Sequence, residues 1–280
     1  GFPPPWQVDA RDLARRVAAG RRVVVLDDDP TGTQSVADVP VLTAWGPDDL
    51  AWAFAQDTPG FFVLTNTRSL AEADAVALGE EVAAAVAQAA AAAGVDHMLV
   101  SRSDSTLRGH FPAETDVLVR AAADAGAPVD GVVIVPAMIE PGRLTVGSVH
   151  WMRTADGMIP VSHSEFARDA TFGYTNADLR DWVAEKTGGR VGRGAVATVT
   201  LTDLRGGGPT RVAEILGGLT DAQPVVVDAA TDDDLRVLVE GLLAAEAAGK
   251  RFVHRSGPSF VRARLGQTAR LPLAAGDLHP

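Results

Sequence analysis

The sequence predicts a three-layer α/β fold, a mostly parallel, doubly wound sheet with helices on both faces. Three observations predict it: short β-branched runs recur along the chain, Ala-rich amphipathic stretches separate them, and aromatic residues are scarce, at 5% against 46% hydrophobic. Strands buried on both faces read as continuous apolar runs, and strands alternating with helices build parallel sheets. A chain of 280 residues is long enough for one large core, or a core with a small second lobe.

Taken in order, the strand runs are residues 23–26, 39–43, 61–65, 98–101, 132–135, 196–201, 225–227 and 252–254. Between them, residues 71–93, 112–125, 176–187, 209–219 and 232–248 have the length and i, i+3, i+4 apolar spacing of helices. Ser69 stands three residues before Glu72 as a capping box, Pro112 suits a first helical turn, and Gly94 and Gly249 are placed to end helices. Residues 136–174, rich in Pro, Gly, His and Trp, are too long for an ordinary connection and read as a functional excursion over the sheet edge. The Gly-rich stretch 188–194 reads as a long loop rather than a hinge.

A net charge of −11 gives no electrostatic case for binding nucleic acid or an anionic membrane, so an anionic small ligand needs a local arginine cluster. The absence of cysteine rules out disulfides, thiolate zinc sites and cysteine nucleophiles, and agrees with a reducing compartment, the cytoplasm by default. The opening Gly1-Phe2-Pro3-Pro4-Pro5-Trp6 has no basic and apolar regions of an export signal, and no uninterrupted apolar run approaches the roughly 20 residues of a membrane helix.

The chemistry is concentrated where strands end. Residues 23–26 run into Asp27-Asp28-Asp29-Pro30-Thr31-Gly32, and ligands of open α/β sheets sit at the carboxyl ends of strands. Three adjacent carboxylates repel one another, a cost that sugar hydroxyls, a metal or a proton would make useful; the bland alternative is a solvated turn. After the fourth run, Ser101 to His110 gathers Arg102, Asp104, Ser105, Thr106, Arg108 and Gly109, suited to a polyhydroxy carboxylate, since Arg chelates a carboxylate while Asp and Ser serve hydroxyls. Here the alternative is capping and salt bridges alone. The third run delivers Thr65, Asn66 and Arg68, and the fifth leads to Arg143, so four strand ends converge on one polar site if the sheet is parallel. His97 reads as structural, whereas His150, His163 and His254 stay unassigned. The sequence has no HExxH, no Walker A pattern and no GxGxxG after a strand, and its only lysines are Lys186 and Lys250, so no ATP site and no metal site of its own is recognisable.

These blocks, in this order, resemble the four-carbon acid sugar kinase family. Its D-D-x-T-G is matched by Asp28 to Gly32, its D-S-T-L-R-G by Asp104 to Gly109, and its P-A-x-x-x-x-G-R-x-T by Pro136, Ala137, Gly142, Arg143 and Thr145. Pro160-Val161, Ser164 to Asp169, and a closing helix after Arg255-Ser256-Gly257 also fit, so the likeness runs from Val23 to Gly266. The resemblance implies an N-terminal domain, residues 21–270, that holds a small sugar acid (erythronate, threonate or 3-oxo-tetronate). It implies an extension at 1–20 and the start of a linker at 271–280. ATP and Mg2+ would belong mainly to a C-terminal nucleotide-binding domain, supplied in cis or in trans, so this half alone would bind without turning over.

By the same resemblance Asp28 or Asp29 would serve the substrate's hydroxyls, one of them orienting the nucleophilic hydroxyl, and Arg102 and Arg108 would take its carboxylate. Thr31, Gly32, Thr65, Arg68, Asp104, Ser105, Thr106, Gly109 and Arg143 would complete the substrate site. Homo-oligomerisation is left open. Two rivals remain: a non-catalytic sugar-acid-binding domain, and a magnesium-dependent phosphatase of haloacid-dehalogenase type, because Asp27-x-Asp29-x-Thr31 matches its nucleophile motif, with Lys250 and Asp232-Asp233-Asp234 as its only further parts.

Overall fold

The structure, a computed structural model, describes residues 1–269; the linker expected at 271–280 lies outside the described residues. Its main sheet is built from β1 (Arg22–Asp27), β2 (Val41–Leu42), β3 (Gly60–Leu64), β4 (His97–Arg102), β5 (Gly131–Val135) and three later strands. The excursion supplies β6 (Arg143–Val146), β7 (Val149–Thr154) and β8 (Gly157–Pro160), a separate antiparallel sheet. β9 (Ala197–Val199), β10 (Gln223–Val227) and β11 (Phe252–Ser256) complete the main sheet, which is eight-stranded, in the order β2-β3-β1-β4-β11-β5-β10-β9, and parallel throughout.

The helices are α1 (Ala10–Ala18), α2 (Pro47–Ala55), α3 (Glu72–Ala93), α4 (Ala113–Asp124), α5 (Leu179–Lys186), α6 (Gly208–Gly217), α7 (Asp232–Ala247) and α8 (Pro258–Arg264). Alternate residues of each strand point to opposite faces, and the core divides accordingly. Val24, Leu26, Phe61, Val63 and Leu99 pack under α2, α3 and α4, while Val132, Ile134 and Val226 pack on α5 and the excursion. On the other face Val133, Val135, Val225 and Val227 pack under α1, α6, α7 and α8, with Val23, Val25, Phe62 and Val100 against Val261 and Leu265. The three-layer α/β expectation holds.

Local differences have local causes. Ser69 makes no capping box: Thr67–Ser69 is a short 3-10 turn in which Ser69 Oγ donates to the Asn66 carbonyl at 2.9 Å, and α3 starts after Ala71 with no side-chain cap. Residues 1–20, read as an extension, contain α1, which Asp9 caps and whose Leu13 and Val17 enter the core beside α7. By length and composition alone α3 is apolar enough to cross a bilayer, with a mean hydropathy of 1.3, but it lies between α2 and α4 and buries Val82, Ala83, Val86 and Ala90 over the sheet. The segment 188–194 is a loop that follows α5 and runs into a short 3-10 turn, Arg193–Ala195.

Candidate functional site

The chain leaves β1 for β2 and β3 on one side, then crosses to β4 on the other, so the strand order reverses around β1 and opens a crevice at its carboxyl end. Register then places the chemistry: Asp27, the last residue of β1, lies level with Leu64 of β3 and Arg102 of β4. Ser256 of β11 is level with both Arg102 and Val135. The segments leaving β1, β3, β4, β5 and β11 therefore emerge side by side.

The acidic turn after β1 is layered. Asp27 is buried, and its Oδ1 accepts from Arg102 Nη1 at 3.2 Å. Burial pushes the Asp27 carboxyl up to about 7, against the pull of Arg102 and with Asp28 adding to the rise. Asp28 is also buried, and burial raises it too, although Arg68 grips both of its oxygens, Nε to Oδ2 at 3.0 Å and Nη2 to Oδ1 at 2.5 Å. Asp29 alone of the three reaches the crevice. Its Oδ1 accepts from the Thr31 N–H at 2.8 Å and the Thr31 hydroxyl at 2.5 Å, and its Oδ2 from Arg68 Nη1 at 2.9 Å. Against the push of burial, the Thr31 hydrogen bonds and the Arg68 charge hold Asp29 below the usual carboxylate range. Thr65 pins the neighbouring turn, its hydroxyl donating to the Asp27 carbonyl at 2.9 Å.

The loop between β4 and α4 faces this turn. Asp104 accepts from the Thr106 hydroxyl and from Arg108 Nε at 2.8 Å; against the push of burial these bonds hold its carboxyl down to about 2. Arg108 also lies over the Phe166 ring, 4.8 Å from its centroid, which places the excursion at the rim. From the start of β6, Arg143 Nη1 donates to Ser105 Oγ at 2.6 Å, and its guanidinium lies 5.7 Å from the same ring. Beneath the loop, Arg255 is fully buried, donates to the Arg108 carbonyl at 3.1 Å, and stacks 4.8 Å from the Trp182 ring.

Together these segments enclose an open polar cleft of about 340 Å³. Its lining brings together Asp29, Thr31, Arg68, Arg102, Asp104, Ser105, Arg108 and Arg143. A larger apolar hollow of about 600 Å³ lies under α3 and α4 near His97, away from these strand ends. The charged cleft carries the chemistry, because convergent donors and acceptors, more than size, define a polar ligand site.

The family profile described as a sugar-binding N-terminal domain matches residues 23–264. The chain belongs to this family. It is the N-terminal domain family of four-carbon acid sugar kinases to which the sequence motifs pointed. Among solved structures, a Haemophilus influenzae protein shares the fold at a TM-score of 0.60 and 20% identity, over 87% of this chain and 55% of that one. Two crystal forms of a Bordetella bronchiseptica domain of unknown function, described as a domain-swapped dimer with bound citrate, are 25% identical, with TM-scores of 0.61 and 0.62. They are matched over 88% and 87% of this chain and 57% and 55% of theirs, so the chain spans little more than half the length of these structures. None of the curated proteins matches it.

In this sugar-binding domain five of the sequence-chosen residues do not line the cleft. Asp28 sits behind Arg68; Gly32 backs onto Asp27; Thr65 and Thr106 spend their hydroxyls on the Asp27 carbonyl and on Asp104; and Gly109, at φ 122°, lies beside Asp28. Of the two aspartates expected to serve the substrate's hydroxyls, Asp28 or Asp29, Asp28 has both its oxygens covered by Arg68. Conversely Gln34, Met138, Pro141 and Pro258 line the cleft without having been singled out as ligands. Only their adjacency to the motif blocks hinted at them.

The phosphatase constellation does not assemble. Lys250 precedes β11, at the opposite end of the strands, where it pairs with Asp130 at 2.9 Å; Asp234 caps α7 and holds Arg205 at 2.7 Å. Neither reaches Asp27.

Proposed function

We propose that this domain is the substrate-binding half of an ATP-dependent kinase that phosphorylates the terminal hydroxyl of a four-carbon acid sugar. The observation that carries the proposal is the pairing pattern of the cleft arginines. Arg68, Arg102 and Arg108 each hold an aspartate, whereas among the described residues Arg143 has no ion pair: its guanidinium donates to Ser105 and the Met138 sulfur and lies beside the Phe166 ring. A half-buried guanidinium that faces a cleft with no carboxylate in ion-pair contact is a seat for a carboxylate brought by a ligand. The acid end of the sugar accordingly lies at Arg143, with Arg108 and Ser105 beside it, in place of the Arg102 and Arg108 pair expected from sequence.

At the other end, Asp29 remains ionised and has acceptor capacity beyond the bonds it makes to Thr31 and Arg68, which suits it to orient a sugar hydroxyl. Asp28 acts at one remove, by fixing Arg68. Arg68 and Arg102, held in place by Asp27 and Asp28, suit a transferred phosphoryl group, because phosphoryl transfer depends on positioning and on neutralising spread negative charge. ATP and Mg2+ would be carried by a C-terminal nucleotide-binding domain in cis or in trans; the relatives, longer than this chain by about half, have room for one. Citrate in the Bordetella relative, a hydroxy acid, supports the ligand class, and the swapped dimer there makes self-association a further expectation.

The test is to supply a nucleotide-binding domain of the family with this chain, ATP, Mg2+ and erythronate or threonate, and to follow ADP release and the position of the new phosphate. Phosphate on the terminal hydroxyl supports the kinase reading. Tight acid binding without turnover under those conditions supports a non-catalytic binding domain instead.

A further inference from the structure

Two buried side chains of the excursion hold consecutive carbonyls of the ligand loop. His150, on β7, is fully buried; its Nε2 lies 2.8 Å from the Ser105 carbonyl and its Nδ1 2.9 Å from Thr145 Oγ1. A carbonyl only accepts, so Nε2 carries the proton and Nδ1 accepts from the Thr145 hydroxyl, which fixes one neutral tautomer. Tyr174, also buried, donates its hydroxyl to the Thr106 carbonyl at 2.6 Å.

The loop so held is under backbone constraint. The next residue, Leu107, is fully buried in the left-handed region at φ 71°, a conformation that a non-glycine residue keeps only when its surroundings impose it. Within the same loop Ser105 Oγ receives Arg143, which begins β6, and Thr145 two residues on pairs directly with His150 across β6 and β7. The hairpin therefore presents Arg143 to the cleft and, through His150, sets the hydroxyl against which Arg143 rests.

We infer that His150 and Tyr174 are positioning residues, which place Ser105 and Arg143 for the ligand's acid group by clamping the Ser105 and Thr106 carbonyls. Burial, opposed by the Ser105 hydrogen bond, pushes His150 down to about 4, so it stays a neutral single donor near neutrality. The inference rests on the reading of the cleft as an acid-sugar site, and its test separates the two.

Calorimetric titration of erythronate or threonate is made on the wild type, Arg143→Ala, His150→Phe, His150→Gln, Tyr174→Phe and the His150→Phe/Arg143→Ala double variant, each first checked for a cooperative unfolding transition. The Gln amide nitrogen takes the place of Nε2, whereas Phe removes the donor and leaves a buried carbonyl unpaired. The clamp predicts about tenfold weaker binding for His150→Phe and for Tyr174→Phe, recovery to within about threefold for His150→Gln, and a double variant no weaker than Arg143→Ala alone. Should His150→Phe fail to fold, Tyr174→Phe and His150→Gln decide on the same criteria. Wild-type affinity in Tyr174→Phe, or an equal His150→Phe loss with Arg143 already removed, overturns the clamp while leaving the acid site standing. A wild type that binds no acid overturns the acid-site reading, and the clamp with it.

Discussion

The carboxylate of Asp27 lies against the α-carbon of Gly32, so close that a Cβ on Gly32 would stand 1.5 Å from Asp27 Oδ2. The acidic turn is thus folded back on its own first residue, and the glycine is required by that contact, since its backbone is not left-handed.

Gly32→Ala is therefore expected to destabilise the domain by about 1–3 kcal/mol, the usual cost of forcing extra volume into a packed site, and to loosen the Asp27–Arg102 pair. Denaturant unfolding of the variant checks the first effect, and ligand affinity the second. Unchanged values for both would mean that the turn is not held as described.

The carboxylate seat assigned to Arg143 predicts that Arg143→Ala weakens binding of a four-carbon acid by about 10–100-fold, the range expected for one charge-assisted contact. Stability should change little, because Arg143 makes no ion pair among the described residues. Arg143→Lys should recover only part of the affinity, since a single ammonium lacks the planar fork. Affinity measured beside the unfolding midpoint distinguishes this from general damage.

Protonation gives opposite signs at two aspartates. Asp27, raised to about 7, keeps its proton in the folded state where the unfolded chain has lost it, so its contribution to stability falls as pH rises from about 4 through 7. Asp104, held at about 2, stabilises above about pH 4, and that stability is lost as pH falls through 4 towards 2. Urea midpoints at pH 5 and pH 8 should therefore lie closer together in Asp27→Asn than in the wild type, by an amount of order 1–2 kcal/mol in free energy. An unchanged gap would mean that Asp27 is ionised throughout.

Trp182 supports the site from below: it is fully buried, stacks 4.4 Å from Phe111, and carries Arg255, which in turn holds the Arg108 carbonyl. Trp182→Ala should cost about 3–5 kcal/mol of stability. Trp182→Phe should cost less and test whether Arg255 still holds the loop, read as ligand affinity at a temperature where both proteins are folded.

The sheet was legible because its strands are buried on both faces and so write their burial directly into sequence, as residues 132–135 and 225–227 do. Helices α1 and α2 were not: α1 commits only Leu13 and Val17 to the core, and nine-residue helices carry too few apolar repeats to stand out. In the cleft, the motif blocks contain the loops that converge, but do not tell which of their side chains line it. Asp27, Asp28 and Asp29 are adjacent in sequence, yet register places Asp27 against Arg102, and the path of the turn gives Asp28 to Arg68 and only Asp29 to the cleft. His150 and Tyr174 carried no signal of their own, because their partners are backbone carbonyls some 45 and 68 residues away.

The most direct test of the central claim is a calorimetric comparison of erythronate and threonate with erythritol, a neutral polyol of the same length, on the wild-type chain. An acid site seated on Arg143 predicts measurable binding of at least one acid and binding of the polyol weaker by tenfold or more. Equal affinity for acid and polyol, or binding of neither, would contradict it.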